Sequence, residues 1–455
     1  MGRAVLIPLS AVLLAACADQ ATLPDPVRPS AAVRAAVTAT AGGGELFVSQ
    51  PQTVAWNVGG WEGGNEPMAE AGGGRVVWQD ASGPMMAQPL VVRAYDFGSG
   101  ARSQVAQVYG DYTDAHTAGR YVVWSVNGVI HLRDQSTGAA WTVGPGWEPR
   151  VSAEGKVAFI TFERPNGRDP QNRNVAVYDV STHATRVLTR YTDAGGEEAH
   201  YPAIDGNIVS WTVLGVYPKW EADVRMMNLA TGEARELDHM DNQFLSRSSV
   251  SAGRIAWVEL LADRRSTAVM LYDVATAAKW RITTSAAQPI YDARISGSLV
   301  VWEDRRNTTS TRYYTENDVY AYDLSAGREV VVATGPNHQG WPSVDGSRVV
   351  WTELANGRWE IRAATVQAVS LEALGRAVDA MLASGEIRNR GTAEALRAFL
   401  AQATRARGAG DVAGERGALK RFAQHVRSQA GREITGPAAA RLAAMADALL
   451  RTLGG

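Results

Sequence analysis

The chain has 455 residues, 45% hydrophobic and 20% charged, with a formal charge of −2. This is an ordinary globular balance that can bury a sizeable core, and it lacks the basic footprint that nucleic-acid binding requires. The single cysteine, Cys17, excludes an internal disulfide and any cysteine-built zinc site.

The chain opens with Arg3, an apolar stretch Ala4–Leu14 and then Leu14-Ala15-Ala16-Cys17. The stretch is too short for a mature bilayer span. It resembles a bacterial lipoprotein signal and its lipobox, which implies cleavage of residues 1–16 and acylation of the Cys17 thiol. Several acyl chains, at about 0.8 kcal/mol per buried CH2, hold a protein stably on a membrane. Ala18 stands where inner-membrane lipoproteins often carry Asp. The expected address is therefore the outer membrane, with lipid as one partner. Residues 17–44 carry three prolines and Gly42-Gly43-Gly44 without a hydrophobic period. They read as a tether.

From residue 45 to 368 a glycine, a β-branched run and a tryptophan recur. The run ends at Trp78, Trp124, Trp211, Trp257, Trp302 and Trp351, with Ile160 in the slot of a seventh unit. A period near 45 residues built of short strands fits a four-stranded propeller blade, and the count predicts about seven blades. Aromatic-Asp steps such as Tyr322-Asp323 and Tyr178-Asp179 precede a second turn in each unit. Blade 4 then reads as strands a to d over Tyr201–Asp205, Asn207–Thr212, Asp223–Leu229 and Ala234–Leu237. The tryptophans are expected to pack between blades. The last unit lacks a d strand, whereas Leu46–Val58, with Val54, Trp56 and Val58 alternating, is a d strand without a blade. The N-terminal strand is predicted to complete the last blade and close the ring, which removes the open edges.

Tyr201-Pro202-Ala203-Ile204-Asp205-Gly206 and Trp341-Pro342-Ser343-Val344-Asp345-Gly346 carry the pattern P-x-[VI]-x-G, followed by the tryptophan strand. This resembles TolB-like propeller repeats. The resemblance implies a propeller fold and is compatible with interaction platforms and with enzymes.

Residues 370–455 change to a period of 3.6, with apolar stripes led by Leu371, Leu396, Leu419 and Leu442. About four helices are expected, with Thr392 and Thr435 marking starts. Thirteen Lys and Arg against eight Asp and Glu give this segment a surplus of five, leaving the remainder at −7. Phe422-Ala423-Gln424-His425-Val426, Gly431 and an alanine-rich last helix resemble the FIMAH domain, with one residue fewer between Phe and His than its name-giving signature. His425 reads as a partly buried packing or capping residue rather than a ligand or base.

No nucleophile elbow, phosphate-cradling loop or H-E-x-x-H occurs. Topology nonetheless places a site: the d–a and b–c connections share one face of a propeller, and here they are long. The candidate binding face comprises Trp147, His200, Tyr201, Arg305, Tyr314, His338 and Trp341. Aromatic, carboxylate and guanidinium groups of this kind suit recognition of a protein or polysaccharide. The expectation is a non-catalytic, envelope-anchored binding or scaffold protein without cofactor or metal. The alternative is a propeller-type carbohydrate-active enzyme, a polysaccharide lyase or hydrolase, with His200, His338 and Gln339 converging on a metal. Asp223 and Asp318 lack the spacing of a calcium loop.

Overall fold

The computed structural model describes residues 46–49, 51–58, 67–80, 90–108, 115–163, 171–192, 196–215, 221–240, 246–263, 265–284, 286–308 and 316–453. Cys17, the tether and Tyr314 lie outside the described residues.

Seven antiparallel sheets follow one another around a ring. Six are four-stranded blades spanning 69–108, 115–145, 147–187, 197–240, 249–281 and 289–333. The seventh takes three strands, Gln339–Asp345, Arg348–Ala355 and Arg358–Ala368, from the end of the repeat. Its outer strand comes from the N-terminus, as the two strand deficits require.

That outer strand is in two pieces rather than one. Leu46–Val48 pairs with the stretch from Val366 to Ala368, and Gln52–Val58 pairs with the stretch from Trp359 to Ala363. Pro51 stands between them and has no N–H to give to the ladder. Register shifts at Thr53/Ala55 and Trp56/Val58 also break the expected alternation. Val54, Ala55 and Val58 are buried, while Trp56 is 62% exposed beneath the Arg102 guanidinium at 4.6 Å. The buried residues join Ala69, Val76 and Trp78 of blade 1 and Val350 and Ile361 of blade 7 in one cluster. The closing strand thereby cements the first blade to the last.

The repeated tryptophans are core. Trp257, Trp302 and Trp351 are fully buried, and each packs in a cluster drawn from two neighbouring blades. Their indole N–H groups differ. Trp302 Nε1 donates to Asp304 Oδ2 at 2.8 Å, whereas Trp351 Nε1 is buried with no hydrogen-bond partner. Replacing Trp302 forfeits this bond and leaves Asp304 Oδ2 with Arg306 Nη2 alone, whereas replacing Trp351 forfeits none. Trp302→Phe is therefore expected to cost at least about 1 kcal/mol more than Trp351→Phe in denaturant unfolding; equal losses would contradict the difference in bonding.

The helical segment forms α1 (Leu371–Ala383), α2 (Arg390–Gly408), α3 (Val412–Gln429) and α4 (Gly436–Thr452). Ser370, Asn389 and Asp411 cap the first three, each side-chain oxygen accepting from an N–H of the first turn. Thr435 precedes α4 as expected, with Pro437 in its first turn. Thr392 does not start α2. The Asn389 amide oxygen accepts from Gly391 N–H, so the helix begins earlier and Thr392 is buried inside it. One core joins all four helices around Leu374, Leu396, Phe422 and Leu442, and Phe47 of the closing strand packs against it.

Candidate functional site

The innermost a strands carry a circumferential set of bonds. At the tight-turn end, a side chain just before one blade's turn accepts from the backbone of the next blade. Asp205 Oδ2 accepts from Ala252 N–H (2.7 Å), Ser251 Oγ from Gly297 N–H (3.0 Å) and Ser296 Oγ from Gly346 N–H (2.9 Å). Asp345 Oδ2 accepts from Gly74 N–H (2.7 Å) and joins blade 7 to blade 1. One level deeper, Ser343 Oγ accepts from Ala71 N–H (2.7 Å) and His116 Nδ1 from Val151 N–H (3.2 Å).

Within these bonds lies an axial cavity of about 340 Å³ lined by Glu70, His116, Arg150 and Arg294 among others. Glu70 Oε1 is 3.0 Å from Arg294 and 3.8 Å from Arg150. Burial opposes the Glu70 charge, but these guanidinium groups prevail and lower its pKa to about 2. Burial, reinforced by Arg150, lowers His116 to about 3.

Toward the loop-rich end the a strands bulge. Register shifts follow Trp147, His200 and Gly340. Three non-glycine residues at this level have left-handed backbone: Glu148 (φ 53°), Tyr201 (φ 48°) and Trp341 (φ 45°). Each precedes a proline of the repeat, Pro149, Pro202 and Pro342, a neighbour that favours extended backbone. Such strained positions persist only where surroundings hold them. Here Glu148 Oε2 accepts from Tyr201 N–H (2.5 Å) and Glu303 Oε2 from Trp341 N–H (3.2 Å). Between the two aromatic rings sits Arg247, its guanidinium 4.5 Å from the Tyr201 ring and 5.0 Å from the Trp341 ring.

His200 lies beside this group. Its Nε2 is 2.9 Å from Glu198 Oε1 and 3.3 Å from Arg173 Nη1, and its Nδ1 is 3.7 Å from Glu148 Oε1. Burial disfavours its charge, yet the bonds to Glu148 and Glu198 outweigh burial and raise its pKa. This raised group contributes stability fully below pH ~6.5, and the contribution is lost as pH rises through the folded-state value. An NMR titration is expected to place the His200 midpoint above 6.5; a midpoint below it would contradict the carboxylate pairing. Trp147 stacks on Phe162 (4.1 Å), with the Arg173 guanidinium 5.4 Å from its ring.

Trp147, His200, Tyr201 and Trp341 thus meet through Glu148, Arg173 and Arg247. His338 is adjacent in blade 7, 4.0 Å from Glu303 and edge-on to Trp359. Arg305 belongs to blade 6, where its backbone N–H donates to Gln288. His200 is held in blade 4 by Glu148 and Glu198, and His338 in blade 7 beside Glu303. Among the described residues, the one group of ligand-type side chains close enough for an ion is Asp223, Glu236 and His239. Arg225 already reaches two of these, Asp223 at 2.6 Å and Glu236 at 3.4 Å. Arg247 was missed by motif reading because it falls where the repeat puts other residue types. Aligning each blade's residue just before the proline slot would have found it. His425 packs on Phe399 at 5.9 Å between ring centroids. No described helix is long and apolar enough to cross a membrane.

No curated protein matches the chain. An oligogalacturonate lyase in complex with manganese is similar at 13% identity, covering 70% of this chain and 98% of that one, with a TM-score of 0.44. The β-propeller domain of the Trilobed protease from Pyrococcus furiosus is similar at 11% identity, covering 67% and 95%, with a TM-score of 0.47. A putative TolB from Agrobacterium tumefaciens is similar at 13% identity, covering 61% and 97%, with a TM-score of 0.38. At these values none assigns a substrate or an activity to this chain. Residues 371–451 match the family model of the FIMAH domain. The chain is a seven-bladed β-propeller that carries a C-terminal FIMAH domain.

Proposed function

We propose that this is a non-catalytic binding or scaffold protein of the cell envelope, anchored through Cys17, whose loop-rich propeller face recognises an envelope protein or polysaccharide. The observation that supports it most is the strained triad at the axial mouth. Glu148, Tyr201 and Trp341 all have left-handed backbone, Tyr201 and Trp341 are held there by hydrogen bonds to Glu148 and Glu303, and their two aromatic rings flank Arg247. Strain of this kind concentrates at ligand clamps, and aromatic and arginine side chains dominate recognition energy.

Three experiments test the reading. Trp147→Ala, Trp341→Ala and Tyr314→Ala are each expected to weaken capture of an envelope protein or a polysaccharide by tenfold or more. Unchanged capture by all three would remove the face from consideration. Incubation with a polysaccharide panel, with and without divalent metal, is expected to leave every polymer intact, and release of unsaturated or reducing sugars would favour the enzyme alternative. For the anchor, Cys17→Ser is expected to move the protein from the membrane to the soluble fraction.

A further inference from the structure

On the opposite face, a cleft of about 540 Å³ separates blades 7 and 1 from the helical domain. This volume is within the range of small-molecule sites, and domain boundaries are a usual place for them. Arg348 stands just after the tight turn of blade 7, with its guanidinium 3.9 Å from the Phe97 ring of blade 1. Phe97 meets Tyr95 edge-on at 5.2 Å, and both line the cleft. From the helical side come Arg376 of α1 and Arg441 of α4. Among the described residues the one lining carboxylate is Glu386, which Arg441 approaches at 3.5 Å. Among the described residues no carboxylate forms an ion pair with Arg348 or Arg376. The lining thus carries three guanidinium groups against one carboxylate, with Glu372 of α1 within electrostatic reach of Arg376.

A second observation points the same way. Pro437, in the first turn of the 17-residue α4, lines the cleft, and Thr435 makes no side-chain cap to that helix. Pro437 has no N–H to offer, so the helix acts on the cleft through its macrodipole, which favours an anion beside its first turn. Gln52 and Gln367, on the propeller side, also line the cleft; their backbones are in the closing-strand ladders, and their side-chain amides make no hydrogen bond among the described residues. Flat aromatic rings, unengaged amides and separated guanidinium groups match a chain of hydroxyl-bearing rings with carboxylates.

We infer that this interdomain cleft binds a short acidic oligosaccharide, with its carboxylates at Arg348, Arg376 and the α4 N-terminus. Calorimetry on the full chain tests it with three probes: a hexuronate trisaccharide, the same trisaccharide reduced at its carboxyl groups, and hexaglutamate. The uronate is expected to bind saturably and more weakly as salt is raised, with the reduced sugar at least tenfold weaker. The R348Q/R376Q double variant is expected to lose at least tenfold in affinity with an unchanged unfolding midpoint. If that variant fails to fold, Arg376→Gln alone, exposed on α1, is expected to lose at least threefold. Trp147→Ala on the other face is expected to bind the uronate as the parent does, which separates this site from the loop-rich one. Absent uronate binding, equal affinity for the reduced sugar, or full affinity in the variants would overturn the inference. Hexaglutamate binding as tightly as the uronate would overturn the sugar assignment in favour of an acidic peptide.

Discussion

A chain that begins at residue 59 is expected to lose cooperative unfolding and to self-associate. Residues 46–58 supply the whole outer strand of blade 7. Without them the Arg358–Ala368 strand becomes a long edge whose N–H and C=O groups are free to pair with another chain. Val54 and Val58, 0% and 6% exposed, leave the cluster that joins blade 7 to blade 1. Fully burying an aliphatic side chain of this size is worth roughly 1.5–3 kcal/mol. Together with the lost ladder, the truncation removes about 5 kcal/mol or more, comparable to the lower end of a whole domain's stability. Phe47 also leaves the helical core it packs against, so both domains are affected. Thermal unfolding with size-exclusion chromatography checks this. A peptide of residues 46–58 added in trans is expected to restore the monomer in part. Trp56→Ala provides the contrast, since its side chain is largely exposed and the expected cost is below about 1 kcal/mol. A truncated chain that melts as a monomer at the parent temperature would mean that closure does not depend on this strand.

The closing strand shows how much of the fold the residues disclose before any coordinates. Counting strands per repeat identified both the deficit in the last unit and the surplus at the N-terminus, because each blade needs four strands whatever its side chains. The break at Pro51 and the bulges around Thr53 and Trp56 were not legible, since alternation of Val54, Trp56 and Val58 describes an unbroken ladder. The buried tryptophan slots were legible for a similar reason: one large apolar side chain at a fixed place in every blade has only the neighbouring blade to pack on. The candidate site was legible as a face rather than as contacts. Trp147, Tyr201 and Trp341 come together because their a strands bulge at one level. Of the residues that bind them, Arg247 and Glu148 share the slot before the repeat's proline position, but which blades they reach, and the approach of Arg173, carry no motif. A cluster of this kind depends on radial geometry, which period and spacing do not express. Thr392 as a helix start failed on a local competition, in which Asn389 offers its amide oxygen to Gly391 N–H one turn earlier.

Acid is expected to destabilise the propeller from its axis outward. His116 accepts the Val151 N–H through Nδ1, a bond available only while that nitrogen is unprotonated. Burial and Arg150 keep the folded-state pKa near 3, against an ordinary value of 6.5. The unfolded chain therefore binds the proton first. This contribution to stability is full above pH 6.5 and is lost as pH falls toward 3, reaching roughly 2 kcal/mol of loss by pH 5. Glu70 adds a second, lower window. Its folded-state value of about 2 lies below the ordinary 4.5, so its contribution is full above pH 4.5 and disappears as pH falls through 2. Denaturant unfolding as a function of pH is expected to show a decline that begins near pH 6.5 and steepens below pH 4.5. His116→Asn keeps a side-chain oxygen where Nδ1 stands and does not titrate, so it is expected to flatten the upper part of the decline while leaving the lower part. Glu70→Ala acts at neutral pH. It strips Arg150 and Arg294 of the carboxylate between them, and breaking a buried pair by removing one partner costs about 3–5 kcal/mol. If His116→Asn declines between pH 6.5 and 5 as steeply as the parent, protonation of His116 is not what drives the first stage of acid unfolding. If Glu70→Ala is as stable as the parent at pH 7, the guanidinium groups of the axial cavity do not depend on that carboxylate.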